Sequence, residues 1–299
     1  DSPRGSEKMR VDTVLVREPS SLADGIKSVA PASAALNALV LMSLGLEHLS
    51  LTLLLNAVSE AGVQCPVYVT ETYGILGYDE GAGRNVELME KGRGLEYGFV
   101  GGSGGQGCLV LAYSGGAAAG HTAAWPADAA SMMVVADGSG AFAAAAAASA
   151  PLHYGGITKE AWVLSDGALQ PVPFFWVASV AGGAAPVGVT TFTGEAGEAA
   201  LGLLEQAPGP VSAVGLFPCF TRGVNKYDAE DVETAAIAQV VGASRRMYGM
   251  FAHGELGPSR FSGFDSAAPA GGPVPSEQHS MTSIIALHTH LQADEKDEL

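Results

Sequence analysis

Apolar and polar positions alternate over residues 11–17 (VDTVLVR), which predicts a strand with one buried face. Residues 46–61 (LEHLSLTLLLNAVSEA) instead repeat their apolar positions at helical spacing and stop at Gly62, a good helix terminator. Strands are expected at residues 65–73 and 108–113, with a loop region rich in Gly and charge between them at 81–107. Residues 29–46 carry no charge but include Pro31, Ser33, Asn37 and Ser43, so they suit a buried helix or strand better than a membrane span. Further strands are expected at residues 161–164 and 174–180, beyond a turn at Ser165, Asp166 and Gly167, and at 187–193. Residues 228–241 (DAEDVETAAIAQVV) open with acids, which favour a helix N-terminus, and close at Gly242. A strand, a glycine turn, a Pro/Gly/Ser-rich loop at 257–276 and a last strand at 281–290 follow. The alanine run at 141–150 is helical by propensity but brings little burial and no chemistry.

One segment repeats. Tyr73 to Glu80 (YGILGYDE) and Tyr248 to Glu255 (YGMFAHGE) both follow a helix and a strand, and the second lies roughly 175 residues after the first. That spacing suits two related α/β halves. The expected fold is therefore α/β, two related lobes, each a mixed sheet with flanking helices. The expected divisions are an N-terminal tail at 1–10, a first lobe at 11–185, a second at 186–291 and an acidic tail at 292–299, with the joint near residues 182–186.

Composition narrows the partners. With 15 Lys and Arg against 31 Asp and Glu among 299 residues, the formal charge of -16 repels nucleic acid and anionic lipid. The 47% hydrophobic content is enough to build a core, and the 40 glycines point to many tight turns. Cys65, Cys108 and Cys219 are odd in number and have no CxxC spacing, so a disulfide framework or a zinc knuckle is not expected.

Several motifs dissolve on inspection. Gly102, Gly104 and Gly107 match a dinucleotide fingerprint, and residues 101–105 (GGSGG) match a nucleophile elbow, but the first is followed by a strand where a helix is required and the serine lies in a flexible run. His288 and His290 share a strand face, with His279 nearby, yet no acid or thiol beside them completes a metal site. No metal or cofactor is expected.

Two motifs keep their chemistry. In residues 217–223 (FPCFTRG), Cys219 lies at a strand end three positions from Arg222, where a guanidinium could stabilise a thiolate; a buried inert thiol is the competing reading. In residues 251–258 (FAHGELGP), a strand breaks at Gly254 and presents His253 and Glu255 together, either to bind a polar ligand or to hold backbone N–H groups.

The series LFPCFTRG, an acidic helix, YGMFAHGELGPSR and HSMTSIIALH resembles the C-terminal half of the FIST family, the F-box and intracellular signal transduction proteins. The resemblance spans residues 214–287 and rests on Cys219, Arg222, Gly223, Gly249, Gly254, Glu255, Gly257, His279, Thr282 and Ser283. Residues 73–80 and the pair Gly155 and Gly156 look like landmarks of the family's N-terminal half. His253 departs from the pattern, where relatives often carry Asn, Tyr or Gly. No F-box-like module precedes Val11, so the resemblance is to stand-alone plant, algal and bacterial members rather than ubiquitin-ligase adaptors.

The resemblance implies a sensory domain that binds a small ligand, with amino acids or their derivatives as the proposed ligands, or a protein-recognition surface. The expected site is Cys219, Arg222, Gly223, His253, Gly254, Glu255, Gly155 and Gly156, with Arg222 as a fork for a carboxylate. The alternatives are an assembly or recognition subunit of a larger complex and an enzyme with Cys219 as nucleophile. No integral membrane segment is expected. A first residue of Asp1 and the family resemblance favour an intracellular, plastid location, while the final Lys296, Asp297, Glu298 and Leu299 spell an ER-retention signal.

Overall fold

The computed structural model describes residues 9–30, 36–44, 50–89, 107–138, 152–180, 187–258, 263–264 and 276–289. The alanine run, the glycine motifs at 101–105, the joint at 182–186, most of the loop at 257–276, His290, residues 1–8 of the N-terminal tail, the acidic tail and the start of the helix at 46–61 lie outside them, while Arg10, expected in the tail, already opens the first strand.

The first part of the chain forms β1 (Arg10–Val16), α1 (Leu22–Val29), β2 (Leu36–Leu44), α2 (Leu51–Glu60), β3 (Val67–Glu71), the hairpin β4 (Gly74–Asp79) and β5 (Arg84–Met89), and β6 (Gly107–Ser114). Then come β7 (Ala117–Gly120), β8 (Ala129–Ala136), β9 (His153–Ile157), β10 (Glu160–Ser165), β11 (Ala168–Pro171) and β12 (Phe174–Val180). The last part forms β13 (Val187–Phe192), α3 (Ala196–Leu204), β14 (Val211–Pro218), α4 (Val224–Tyr227), α5 (Val232–Val241), β15 (Met247–Phe251), β16 (Glu255–Pro258), β17 (Gly263–Phe264), β18 (Ser276–His279) and β19 (Ser283–Thr289).

These make a mixed α/β fold of three sheets. The first has strand order β1-β6-β2-β3-β10-β11, the middle one β18-β16-β9-β8-β12-β7, and the last β17-β13-β19-β14-β15-β4-β5. The halves are related: β1-β6-β2-β3 and β13-β19-β14-β15 each run antiparallel, antiparallel, then parallel, with helices joining the equivalent strands. The halves also exchange strands. Hairpin β4–β5 joins the last sheet beside β15, and β16 and β18 join the middle sheet beside β9, so two sheets draw strands from both sides of residues 182–186.

The repeated segment has a different place from the one its spacing suggests. Tyr73 stands just before β4 whereas Tyr248 lies inside β15, so the two segments are not equivalent positions of the repeat. They are antiparallel neighbours instead, with Gly74 opposite Phe251 and Ile75 opposite Met250.

Alternate residues of each strand divide the core. On β2, Leu39 and Leu41 face α1 and α2, while Ala38, Val40, Met42 and Leu44 enter the central core shared by all three sheets. A strand covered on both faces reads as a continuous apolar run, which is why residues 29–46 were ambiguous between helix and strand. In the last sheet, Val214, Leu216, Ile285 and Leu287 pack under α3 and α5, while Phe217, Tyr248, Ile284 and Ala286 point into the centre. The expected loop at 81–107 contains β5, a strand specified by its partner β4 rather than by alternation of its own. Among the described residues no helix is long and apolar enough to cross a membrane.

Candidate functional site

Three sheets' worth of chain converge where β14 and β15 end. Cys219 continues β14 by one residue and forms an isolated parallel bridge to Ala252, with Phe220 donating to the Ala252 carbonyl and Ala252 to that of Pro218, both at 2.8 Å. The Cys219 N–H donates to the Thr282 carbonyl at 2.9 Å, which brings in the turn before β19. From here the chain leaves the last sheet for the middle one: His253 donates to Ile157, and Ile157 to Gly254.

That crossing needs glycines. Gly155 holds φ +139°, and a Cβ there would lie 1.9 Å from the Val134 carbonyl oxygen; one at Gly156 would lie 2.5 Å from the Ala252 Cβ. Gly254 adopts φ +147°, a region that residues with a Cβ rarely enter. The glycines thus let β9 and β16 approach closely enough for Gly156 to pair with Glu255.

Glu255 is fully buried. Its Oε2 accepts from the Thr282 hydroxyl at 2.8 Å and the Thr282 N–H at 3.3 Å, while Oε1 has no hydrogen-bond partner. Burial pushes its carboxyl up to about 7, against the pull of the Thr282 bonds. The Cys219 thiol lies beside this carboxylate, and burial, then the Glu255 charge, raise the thiol above its ordinary range. Thr221 donates its hydroxyl to Cys219 Sγ at 3.1 Å.

His253 is exposed and takes no part in that pair. Its ring packs on Phe220 at 5.2 Å and Tyr73 at 5.8 Å, and those two rings stack at 5.4 Å. Lys159 lies over Tyr73 and pairs with Glu71 at 3.3 Å.

Arg222 points elsewhere. Its N–H closes a turn on the Cys219 carbonyl at 2.8 Å, but its guanidinium is buried among Glu233 Oε1 (2.5 Å), the Thr193 and Gly194 carbonyls (3.0 and 3.1 Å) and the Tyr227 hydroxyl (3.0 Å). The Phe192 ring lies 5.1 Å from it. Glu233 is completed by Tyr227 and by Ser283, whose hydroxyl donates to Oε2 at 2.9 Å. The fork expected to hold a carboxylate is spent inside the fold, tying α5 to β13 and β19. Gly223 shares this structural role: at φ +58° it starts α4, and a Cβ there would meet the Phe251 ring at 2.8 Å.

The structure thus brings together Cys219, Gly254, Glu255, Gly155 and Gly156, sets His253 on the adjoining surface, and turns Arg222 and Gly223 to the α4–α5 side. Thr221, Phe220 and Tyr73 belong to the site, yet no spacing rule selects them, since each depends on contacts across strands. Thr282 could have been found, because it lies on the family pattern. Of the other expected histidines that are described, His279 has Nε2 3.3 Å from the Gly257 carbonyl, and His288 is buried with Nε2 2.7 Å from the Tyr248 hydroxyl. Among the described residues no group of three or more His, Cys, Asp or Glu is placed to hold a metal ion. A groove of 310 Å³ beside α1 and α2, lined by Pro19, Ala23, Ser50, Leu53 and Asn56, touches none of the expected site residues.

No protein-family model matches the chain, and no curated protein matches it either.

Proposed function

We propose that the chain is a non-catalytic binding protein of the FIST type, with its ligand held at the crossing of β14, β15 and β16 by Glu255, Cys219 and the rings of His253, Phe220 and Tyr73. The observation that carries this reading is the unpartnered Oε1 of the fully buried Glu255. A buried oxygen without a partner costs on the order of 1–3 kcal/mol, and a ligand N–H or O–H would recover it. The ligand is then a small polar molecule that offers a donor, such as an amine. With Arg222 occupied by Glu233, a ligand carboxylate is not the group recognised here. His253 packs on the aromatic rings and His279 lies against Gly257, so neither imidazole serves Cys219 as a base, which supports binding over turnover.

Native mass spectrometry of the protein from its own source, intact and then denatured, tests this. A small mass lost only on denaturation, and absent from Glu255→Gln, supports the reading. Association with other polypeptides and no small molecule would replace it with the assembly-subunit reading.

A further inference from the structure

The chain has eight methionines, and seven of them are no more than 8% exposed. Met281 is 68% exposed. It also holds φ +60° in the turn between β18 and β19, a conformation that is costly for most residues with a Cβ and that asparagine or glycine adopts more readily. An apolar side chain lifted into solvent on strained backbone adds nothing to the core, and strain of this kind collects where a protein contacts something else.

The turn belongs to the candidate site. Thr282, the next residue, gives its N–H and hydroxyl to Glu255 Oε2, and its carbonyl accepts the Cys219 N–H at 2.9 Å. β14 and β19 pair as far as Pro218 and Ser283, and the same register continued past Cys219 and Thr282 sets Phe220 across from Met281. Phe220 in turn stacks on Tyr73 and packs against the exposed His253 ring. One thioether and three rings thus border the buried Glu255, whose Oε1 is unpartnered.

We infer that Met281 is a specificity-determining residue of this site, and that the ligand is an amine carrying an aromatic or other apolar body. The ammonium group donates to Glu255 while the body lies among Met281, Phe220, Tyr73 and His253. A flexible, polarisable thioether packs well against a ring, and aromatic rings attract both a cation and another ring. The net charge of -16 favours a cationic ligand as well. The inference rests on the binding reading and adds the class of ligand to it.

Isothermal titration calorimetry of the full chain with phenethylamine and with ethanolamine tests it, alongside Met281→Asn, Met281→Leu and Glu255→Gln. Phenethylamine should bind roughly tenfold tighter than ethanolamine, the factor expected of one good apolar contact. Met281→Asn should remove most of that preference and leave ethanolamine unchanged, and Met281→Leu should keep it. The urea midpoint of Met281→Asn should stay level or rise, because asparagine tolerates the left-handed turn. A fall would mean that Met281 serves the fold, and overturns the inference. So do equal affinities for the two amines, a preference that survives Met281→Asn, and the binding of neither amine, even where native mass spectrometry finds a small mass that depends on Glu255. Amine binding that Glu255→Gln leaves intact overturns the binding reading itself, and the inference with it.

Discussion

Glu87 accepts the backbone N–H of Glu233 at 3.1 Å across 146 positions of sequence, and that of Thr234 at 3.0 Å. Asp231 answers by accepting the Glu87 N–H at 2.6 Å and pairing with Arg84. Together these cap the start of α5 with a side chain from β5, so that the exchanged hairpin supplies what the helix's own first residues do not. Asp231→Ala removes the acceptor of the buried Glu87 N–H and the partner of Arg84, and should destabilise the protein by about 1–3 kcal/mol, typical of a lost hydrogen bond to a charged group. The measure is the urea midpoint, compared with Asp24→Ala in α1.

Two buried carboxyls make stability depend on pH. Burial is the main cause that raises both Glu87 and Glu255 to about 7, from 4.5 in an exposed chain. The native state thus holds these protons more tightly than the unfolded state. Their stabilisation is complete below about pH 4.5 and is lost as pH rises through about 7, on the order of 3 kcal/mol for each group. Chemical unfolding should show the midpoint falling across this window, and Glu255→Gln should flatten part of the fall. A midpoint that rises over the same window contradicts the assignment.

Arg222 and Glu233 form a buried pair, each about 2% exposed at the side chain. Arg222→Ala leaves the Glu233 charge without its partner and should cost about 3–5 kcal/mol, whereas Arg222→Met combined with Glu233→Leu should cost far less. Denaturant titration of the single and double variants separates the two cases. Equal losses would mean that the pair is not coupled.

Gly155→Ala should be among the most damaging single-methyl changes in the chain. Its φ of +139° and the 1.9 Å approach to the Val134 carbonyl leave no place for a Cβ, so β9 must separate from β8. The expected loss is about 2–4 kcal/mol, read from thermal melting beside Gly83→Ala, where a Cβ meets no atom within 4 Å and only the left-handed backbone is strained.

Much of the fold is legible along the chain, and the reason differs from element to element. Alternation marks β1, and Gly62 and Gly242 stop α2 and α5 near the expected ends. β2 was ambiguous because helices cover one of its faces and the central core the other, which removes the alternation that identifies a strand. β5 was missed because it is specified by β4 and the α5 cap, not by its own pattern. The repeat was legible as an echo, although the echoing segments proved to be neighbours in one sheet rather than equivalents.

The site was legible as a set of residue types and not as an arrangement. Cys219 and Arg222 sit three positions apart in one turn, which reads as a single site; their side chains leave that turn in different directions, toward Glu255 and toward Glu233. Sequence by itself determined the mixed α/β class and the acidic balance. Those follow from local periodicity and composition. Only the tertiary structure decided which strands the halves exchange, that Arg222 is spent internally, and that Glu255 is buried with one oxygen unpaired. Each of these depends on what lies opposite a residue across a sheet, and that is set by packing between segments far apart in sequence.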